Sequence, residues 1–295
     1  MPRVRRSSRH FYSKRMNSQP IGVFDSGVGG LSVLRHLVRI LPDEEYIYLG
    51  DTARVPYGNK SEETIVEYTE QAVRFLLHKG AKLIVIACNT ASALALHHAE
   101  AMSPVPIIGM IIPASRAAVQ ATENGKIGVI GTRATMNSNA YPLTIQEISE
   151  PRTMIVFSNA CPLFVPLAEE GFHHHPASEL IAAEYLAGFH TAGVDTLVLG
   201  CTHYPLLATL IAHELPGVQL IDCGEYAAFE AERLLTHERT DRVSQAESAP
   251  RIDFYLTDTT TTFLEIAERF LGFSVSLPER VSLEHYDYTS ATHYE

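Results

Sequence analysis

The sequence alternates between short apolar runs and longer segments that begin and end with helix-capping residues. Runs of Val, Ile and Leu at 83–87 and 196–199 are typical of strands buried on both faces of a parallel sheet. Ser61, followed by two glutamates, favours the start of a helix, and Gly80 favours its end. This alternation predicts an α/β fold with mainly parallel sheets.

The same interpretation assigns an element to most of the chain. Residues 112–113 are predicted to cross between two halves, and the tail from 273 is expected to be loosely held. Strands are predicted at 21–24, 46–49, 83–87, 105–110, 126–130, 154–158, 196–199, 218–222 and 252–256. Helices are predicted at 31–40, 61–79, 91–102, 114–123, 132–136, 176–191, 225–235 and 262–271, with one more ending at 215.

The chain contains an internal match. Cys201 lies 113 positions after Cys88, and the same offset relates Gly80 to Gly193 without a gap. Upstream, IGVFDS at 21–26 matches IGVIGT at an offset of 106. Chance similarity among Val- and Ile-rich strands is the alternative. The shared cysteine favours a duplication, and it predicts two pseudo-symmetric α/β domains with an active site in the cleft between them.

Four segments follow from this interpretation. The strand and helix after 250 are expected to return to the first half, which would make the first domain discontinuous. The predicted segments are a basic flexible extension (1–19), a first domain (20–112 plus 223–276), a second domain (113–222) and a C-terminal tail (277–295).

Composition limits the classes of partner. Apolar residues make up 46% of the 295 residues, enough for a substantial core, and the formal net charge is −11. That charge argues against nucleic acid and against an anionic membrane surface as partners. No stretch approaches the roughly 20 apolar residues of a membrane span. An anionic substrate would therefore need local donors within the cleft.

Cysteine usage predicts a reducing, cytoplasmic location. None of the four cysteines belongs to a C-x-x-C pair, which argues against a zinc ribbon and a thioredoxin motif. The three histidines at 173–175 cannot share one helical face, so no metal site is predicted there. The Arg-rich start resembles a transit peptide in composition, but an unstructured extension, or initiation at Met16, is the favoured interpretation.

Cys88 and Cys201 each follow a predicted strand, at the edge where open α/β sheets bind ligands. Two thiols facing each other across a ligand suit proton removal from one face of a carbon and delivery to the other. A helix N-terminus, or the nearby His203, is expected to lower a thiol pKa from about 8.5. Inert buried cysteine is the alternative. Asp25 either caps the first helix or shares acid–base work with a thiol.

Four motifs in order resemble those of the glutamate racemases, within the aspartate/glutamate racemase superfamily: DSGVGG at 25–30, PYG at 56–58, CNTA at 88–91 and GCTHYP at 200–205. The runs CPLFVPLAEEG at 161–171 and FYLTD at 254–258 extend the resemblance to about 21–272. It implies interconversion of L- and D-glutamate by two thiols without a cofactor or a metal, supplying D-glutamate for peptidoglycan.

The resemblance also implies residue roles. Cys88 and Cys201 would be the acid–base thiols, assisted by Asp25 and His203 and by Glu169, with Glu170 as the alternative to Glu169. Family members are often homodimers, and some respond to a cell-wall precursor. The implied substrate-binding residues are Asp25, Ser26, Tyr57, Gly58, Asn89, Thr90, Thr202 and His203.

Two other functions stay open at this point. An aspartate racemase, or another two-cysteine racemase, is the nearest alternative, although its relatives usually carry a Glu near the position of His203. A non-catalytic amino-acid-binding or thiol-sensing protein is the alternative from a different class. Solvent deuterium at the α-carbon would separate an enzyme from a binding protein.

Overall fold

The computed structural model describes residues 19–236, 250–259, 263–284 and 286. The predicted basic extension, except Gln19, and most of the polar link 236–250 lie outside the described residues. The described strands are β1 (Ile21–Asp25), β2 (Tyr46–Gly50), β3 (Leu83–Ile86), β4 (Ile107–Ile108), β5 (Lys126–Gly131), β6 (Ile155–Ala160), β7 (Thr196–Gly200), β8 (Gln219–Asp222), β9 (Ile252–Leu256) and β10 (Glu279–Arg280).

The described α-helices connect these strands and cover the sheets. They are α1 (Leu31–Ile40), α2 (Glu62–His78), α3 (Asn89–Leu94), α4 (Leu96–Met102), α5 (Ile111–Ala121), α6 (Arg133–Asn137), α7 (Ala140–Ser149), α8 (Phe164–Glu169), α9 (Pro176–Ala192), α10 (Ala208–Glu214), α11 (Cys223–Thr236) and α12 (Phe263–Leu271). Short 3-10 helices cover Thr52–Arg54, Tyr57–Asn59 and Tyr204–Leu207.

Within the described residues the strands form two sheets, and every pairing in them is parallel. The first sheet has the order β10-β9-β2-β1-β3-β4, and the second has the order β6-β5-β7-β8. Strands β1, β2, β3 and β7 are buried along their whole length, as the continuous apolar runs predicted. The predicted α/β class with mainly parallel sheets is confirmed.

The two sheets repeat one arrangement. The order β2-β1-β3-β4 in the first sheet corresponds to β6-β5-β7-β8 in the second. The sequence offsets pair β1 with β5 and β3 with β7, which occupy equivalent places. Gly80 and Gly193 both adopt positive φ (84° and 67°) after the helices α2 and α9. The predicted pseudo-symmetry is therefore present in the topology.

The C-terminal region adds to the first sheet. Strand β9 pairs with β2, and β10 pairs with β9. The expectation of a loosely held tail was wrong for this part, because Leu283 is only 4% exposed and packs into the core of the first sheet. The division into domains with the boundaries given above stays a prediction.

Several element boundaries differ from those predicted, most of all between residues 91 and 121. Helix α5 begins at Ile111 and includes Pro113, which its first turn tolerates because the missing N–H has no intrahelical acceptor there. The helix predicted at 91–102 is divided at Ala95 into α3 and α4. Strand β4 is shorter than its predicted range, and two residues separate its end at Ile108 from the start of α5 at Ile111. No described helix has the length and apolar character to cross a bilayer.

Candidate active site

The sequence-predicted residues converge on one cleft at the carboxyl ends of β1, β3, β5 and β7, where parallel sheets bind ligands. The cleft has a volume of about 260 Å³. Among the described residues that line it, none is Lys or Arg. The lining residues are Ser26, Gly27, Val55, Pro56, Tyr57, Gly58, Cys88, Asn89, Thr90, Thr132, Val165, Glu169, Cys201, Thr202 and His203.

On the first side of the cleft, Cys88 forms the N-cap of α3 directly after β3. It is 6% exposed, and its thiol donates a hydrogen bond to Ser26 Oγ at 3.5 Å. Asp25 lies behind this pair and is fully buried. Its Oδ2 accepts from the Gly27 N–H at 2.9 Å, and its Oδ1 has no hydrogen-bond partner among the described residues. Asp25 therefore supports the cleft from behind rather than lining it.

This environment raises the pKa of Cys88, contrary to the sequence-based expectation. Burial, followed by the charge of Asp25, raises the pKa of the Cys88 thiol to about 12. Burial also raises the pKa of Asp25 above its ordinary value, against the opposing charge of His203. The position before a helix is therefore outweighed at Cys88 by desolvation and a neighbouring carboxylate. At neutral pH the Cys88 thiol is therefore protonated.

On the second side, Cys201 follows β7 and is also 6% exposed. His203 Nδ1 lies 3.8 Å from Cys201 Sγ, and its Nε2 lies 2.9 Å from Glu169 Oε1. The side chain of Glu169 reaches the cleft, whereas Glu170 is exposed and does not line it. The geometry therefore favours Glu169 over Glu170 as the acid that could assist His203.

The His203 ring is held as a cation. Burial alone would lower its pKa, but hydrogen bonds to Cys201 and Glu169 outweigh that effect and raise the pKa to about 10. At neutral pH the ring therefore carries a proton on both nitrogens and donates to both neighbours. A cation at this position stabilises negative charge on a neighbouring anionic group, in a cleft that has no lysine or arginine in its described lining.

Helix α12 anchors this pair from the C-terminal region. Arg269 donates from Nη1 to the Glu169 carbonyl, and the Phe270 ring packs edge-on against the His203 ring at 5.6 Å between centroids. Both contacts join positions far apart in the sequence. Neither was predicted, because nothing local to the two motifs indicates that α12 packs there.

Tyr57 and Gly58 lie on a loop, and hydrogen bonds to a buried carboxylate behind it hold this loop in place. Buried Asp51 accepts hydrogen bonds from Arg54 Nε at 2.7 Å, from Tyr57 Oη at 2.5 Å and from Thr257 Oγ1 at 2.8 Å. Gly58 packs so closely on the opposite wall that an added Cβ would lie 2.8 Å from Thr132 Cβ. This loop therefore forms one lip of the cleft.

Three threonine hydroxyls, one of them from Thr132, lie close together in this part of the cleft. Thr90 Oγ1 lies 2.9 Å from Thr132 Oγ1 and 3.2 Å from Thr135 Oγ1. Thr132 lines the cleft but was not among the predicted site residues. The internal match contained the signal that could have identified it, because the 106-residue offset pairs Ser26 with Thr132.

The three consecutive histidines lie away from the cleft. His175 Nδ1 accepts from the Ala177 N–H at 3.1 Å and caps α9, while the His173 and His174 rings meet edge to face at 4.9 Å between centroids. Across residues 19–236, 250–259, 263–284 and 286, no group of His, Cys, Asp and Glu has an arrangement that could hold a metal ion.

One family model and several individual proteins match most of this chain. The family model of the Asp/Glu/Hydantoin racemases matches residues 21–231. The glutamate racemase of Syntrophus aciditrophicus is 48% identical over 265 residues, which are 90% of this chain and 97% of that protein.

Solved structures agree with these matches. The glutamate racemase of Francisella tularensis in complex with D-glutamate has a TM-score of 0.83 and 41% identity, covering 91% of this chain and 99% of that one. The Escherichia coli glutamate racemase in complex with L-glutamate and the activator UDP-MurNAc-ala has a TM-score of 0.69 and 33% identity, covering 85% and 95%. This chain belongs to the Asp/Glu/Hydantoin racemase family.

Proposed function

We propose that this chain is a glutamate racemase in which Cys88 and Cys201 exchange protons with opposite faces of the substrate α-carbon. The observation that carries the proposal is that the two thiols end equivalent strands of two repeated sheets and line one small cleft. Relatives 43–48% identical over about 90% of the chain are named glutamate racemases, which supports glutamate as the substrate.

The proton balance of the proposed reaction is simple. In one direction Cys201, as a thiolate, removes the α-proton from one face of the bound amino acid. Cys88, as a thiol, donates its own proton to the opposite face. The two sulfurs thereby exchange protonation states and re-equilibrate before the next turnover, and in the other direction their roles are reversed.

The lining suits an amino acid with two carboxylates. Side-chain hydroxyl and amide groups of Ser26, Asn89, Thr90 and Thr202 are available to the carboxylates, with the His203 cation nearby. Fixed donors of this kind stabilise negative charge without requiring a positively charged protein surface. They therefore reconcile an anionic substrate with a formal net charge of −11.

A direct assay tests the function. Purified protein, treated with chelator and supplied with no cofactor, should convert D-glutamate to a racemic mixture, which polarimetry detects. D-aspartate, shorter by one methylene, should react about tenfold more slowly or worse. A preference for aspartate would replace glutamate as the substrate. Binding of D-glutamate without loss of optical rotation would indicate a non-catalytic protein.

The cellular role, the assembly and the regulation that we propose come from the similarity to glutamate racemases. We propose that the D-glutamate supplies peptidoglycan synthesis in the cytoplasm, that the chain assembles into a homodimer, and that a cell-wall precursor activates it. The activator in the Escherichia coli structure supports the last point for that relative. Sedimentation analysis tests the dimer, and an assay with and without UDP-MurNAc-ala tests activation. A monomer, or an unchanged rate, would contradict the corresponding proposal.

A further inference from the structure

One buried side chain touches both cysteine loops. Tyr141, in the first turn of α7, is fully buried. Its hydroxyl lies 2.6 Å from Asn89 Oδ1, in the residue after Cys88. Its ring packs against Gly200, in the residue before Cys201, so closely that an added Cβ there would lie 3.1 Å from Tyr141 Cε2. Tyr141 therefore connects the two sides of the cleft from beneath.

The hydrogen bonds around Tyr141 have a defined direction. The Tyr141 hydroxyl carries a single proton, and it donates that proton to Asn89 Oδ1, its shorter contact at 2.6 Å. Its oxygen can then only accept at the Cys223 sulfur, 3.0 Å away, and the Cys223 thiol can donate either to that oxygen or to the Leu199 carbonyl at 3.2 Å. Burial holds the pKa of Tyr141 well above its ordinary value, so the hydroxyl stays a donor at any working pH.

This bond determines which way the Asn89 amide faces. With Oδ1 bound to Tyr141, Nδ2 is left as a buried donor without a hydrogen-bond partner among the described residues. Asn89 also lines the cleft. A buried donor without a partner is unfavourable unless a ligand supplies an acceptor. The reversed amide would instead direct an oxygen toward an anionic substrate.

We propose that Tyr141 is a positioning residue, which orients the Asn89 side-chain amide so that Nδ2 donates to a substrate carboxylate. This inference rests on the proposed function, because it needs a carboxylate ligand in the cleft. It assigns to α7 a role in substrate affinity that neither cysteine motif indicates.

Tyr141→Phe tests the inference, because phenylalanine keeps the ring that packs on Gly200 and removes only the hydroxyl. We expect the KM for D-glutamate, and its Kd measured by calorimetry, to rise about tenfold, the factor for one hydrogen bond. The kcat should stay within about twofold of the wild-type value, since the amide is not placed to transfer a proton. Thermal melting verifies the fold.

Two matched variants separate positioning from packing. Cys223→Ala removes the other neighbour of the hydroxyl but keeps the Tyr141–Asn89 bond, so its KM should stay within about twofold of wild type. In an Asn89→Ala background, Tyr141→Phe should add no further rise. An unchanged KM in Tyr141→Phe, or an equal rise with and without Asn89, would overturn the inference.

A measurement on the wild-type protein does not depend on any variant folding. The side-chain amide protons of Asn89 should shift in nuclear magnetic resonance spectra when D-glutamate is added, and unshifted protons would contradict the inference. If the wild type binds D-glutamate without racemising it, the proposed function fails. The Kd comparison between wild type and Tyr141→Phe still decides the role of Tyr141.

Discussion

The two sides of the cleft share a backbone but differ in chemistry. Cys88 and Cys201 both follow a buried strand of a parallel sheet and are equally buried. Cys88 faces a buried carboxylate, Asp25, whereas Cys201 faces the His203 imidazolium. The offset that aligns the first strands places Gly131 opposite Asp25, so the carboxylate has no counterpart in the second sheet.

This difference shows which features the repeated strand order fixes and which features it leaves free to vary. The repeat fixes where each sulfur lies, because strand order and strand ends are set by the fold. The groups that control proton transfer have diverged, so one sulfur is adjacent to an anion and the other to a cation. Both thiols are therefore expected to be essential, and substitutions around them should act through different physical effects.

The largest expected effect comes from removing either sulfur. Cys88→Ser and Cys201→Ser should each lower kcat by roughly 10²–10⁴, the usual contribution of a positioned acid or base. Circular dichroism should show an unchanged fold. The control is Cys161→Ser, at a buried cysteine that does not line the cleft, which should keep wild-type turnover. Full activity in either cleft variant would exclude the two-thiol mechanism.

Asp25→Asn tests the anionic side alone. We expect kcat to fall about a hundredfold, because an assisting acid or base is lost. The pKa of Cys88 should fall below its value of about 12, because one of the causes that raise it, the charge of Asp25, is removed. The pH dependence of Cys88 alkylation by iodoacetamide, located by mass spectrometry, measures this change. An unaltered Cys88 profile would show that burial alone sets the pKa.

Gly29→Ala tests the contact between the two sides. A Cβ at Gly29 would overlap Thr202 Oγ1 and would lie 2.5 Å from His203 Cε1. Such overlap costs about 2 kcal/mol, which corresponds to roughly a thirtyfold loss of kcat/KM if it displaces His203. Gly188→Ala is the matched control, since a Cβ there meets nothing within 4 Å. It should keep activity and stabilise α9 by about 0.5–1 kcal/mol. Equal activity of the two variants would contradict the contact.

The smallest effect is expected from Glu169→Gln, which tests the cationic side. The pKa of His203 is raised from 6.5 to about 10, so stabilisation by the charged pair is complete below about pH 6.5 and is lost as the pH rises through about 10. Removing the Glu169 charge should move the alkaline loss of kcat/KM down by about one pH unit and lower the rate about tenfold at high pH.

Glu170→Gln provides the control for this variant. It removes the same charge from the adjacent, exposed position, and it should leave the alkaline limb where it is in the wild type. A shift of the same size in both variants would mean that general charge, rather than the Glu169–His203 contact, sets the pKa of His203.

Sequence reasoning located the site where the signals were local or repeated. Both cysteines follow apolar runs, and their shared offset indicated equivalent strand ends. The contacts of Glu169 with His203, of Arg269 with Glu169 and of Tyr141 with Asn89 join residues 34 to 100 positions apart. They depend on how helices dock onto the sheets, which no single motif encodes.

The raised pKa of Cys88 was missed for a related reason. Its position before α3 indicated a lowered pKa, but the depth of burial and the distance to Asp25 are tertiary properties. Some predicted boundaries were wrong because a local rule has an exception, as at Pro113, which lies inside the first turn of α5 instead of before it.

The most direct test of the central claim is the fate of the α-hydrogen. The protein is incubated with L-glutamate in deuterium oxide, and the reaction is stopped while little substrate has been converted. The two enantiomers are then separated, and mass spectrometry measures the deuterium content of each. Two thiols on opposite faces predict that newly formed D-glutamate carries deuterium at the α-carbon while the remaining L-glutamate does not. D-glutamate that retains the original hydrogen would mean that one group serves both faces, and it would contradict the account.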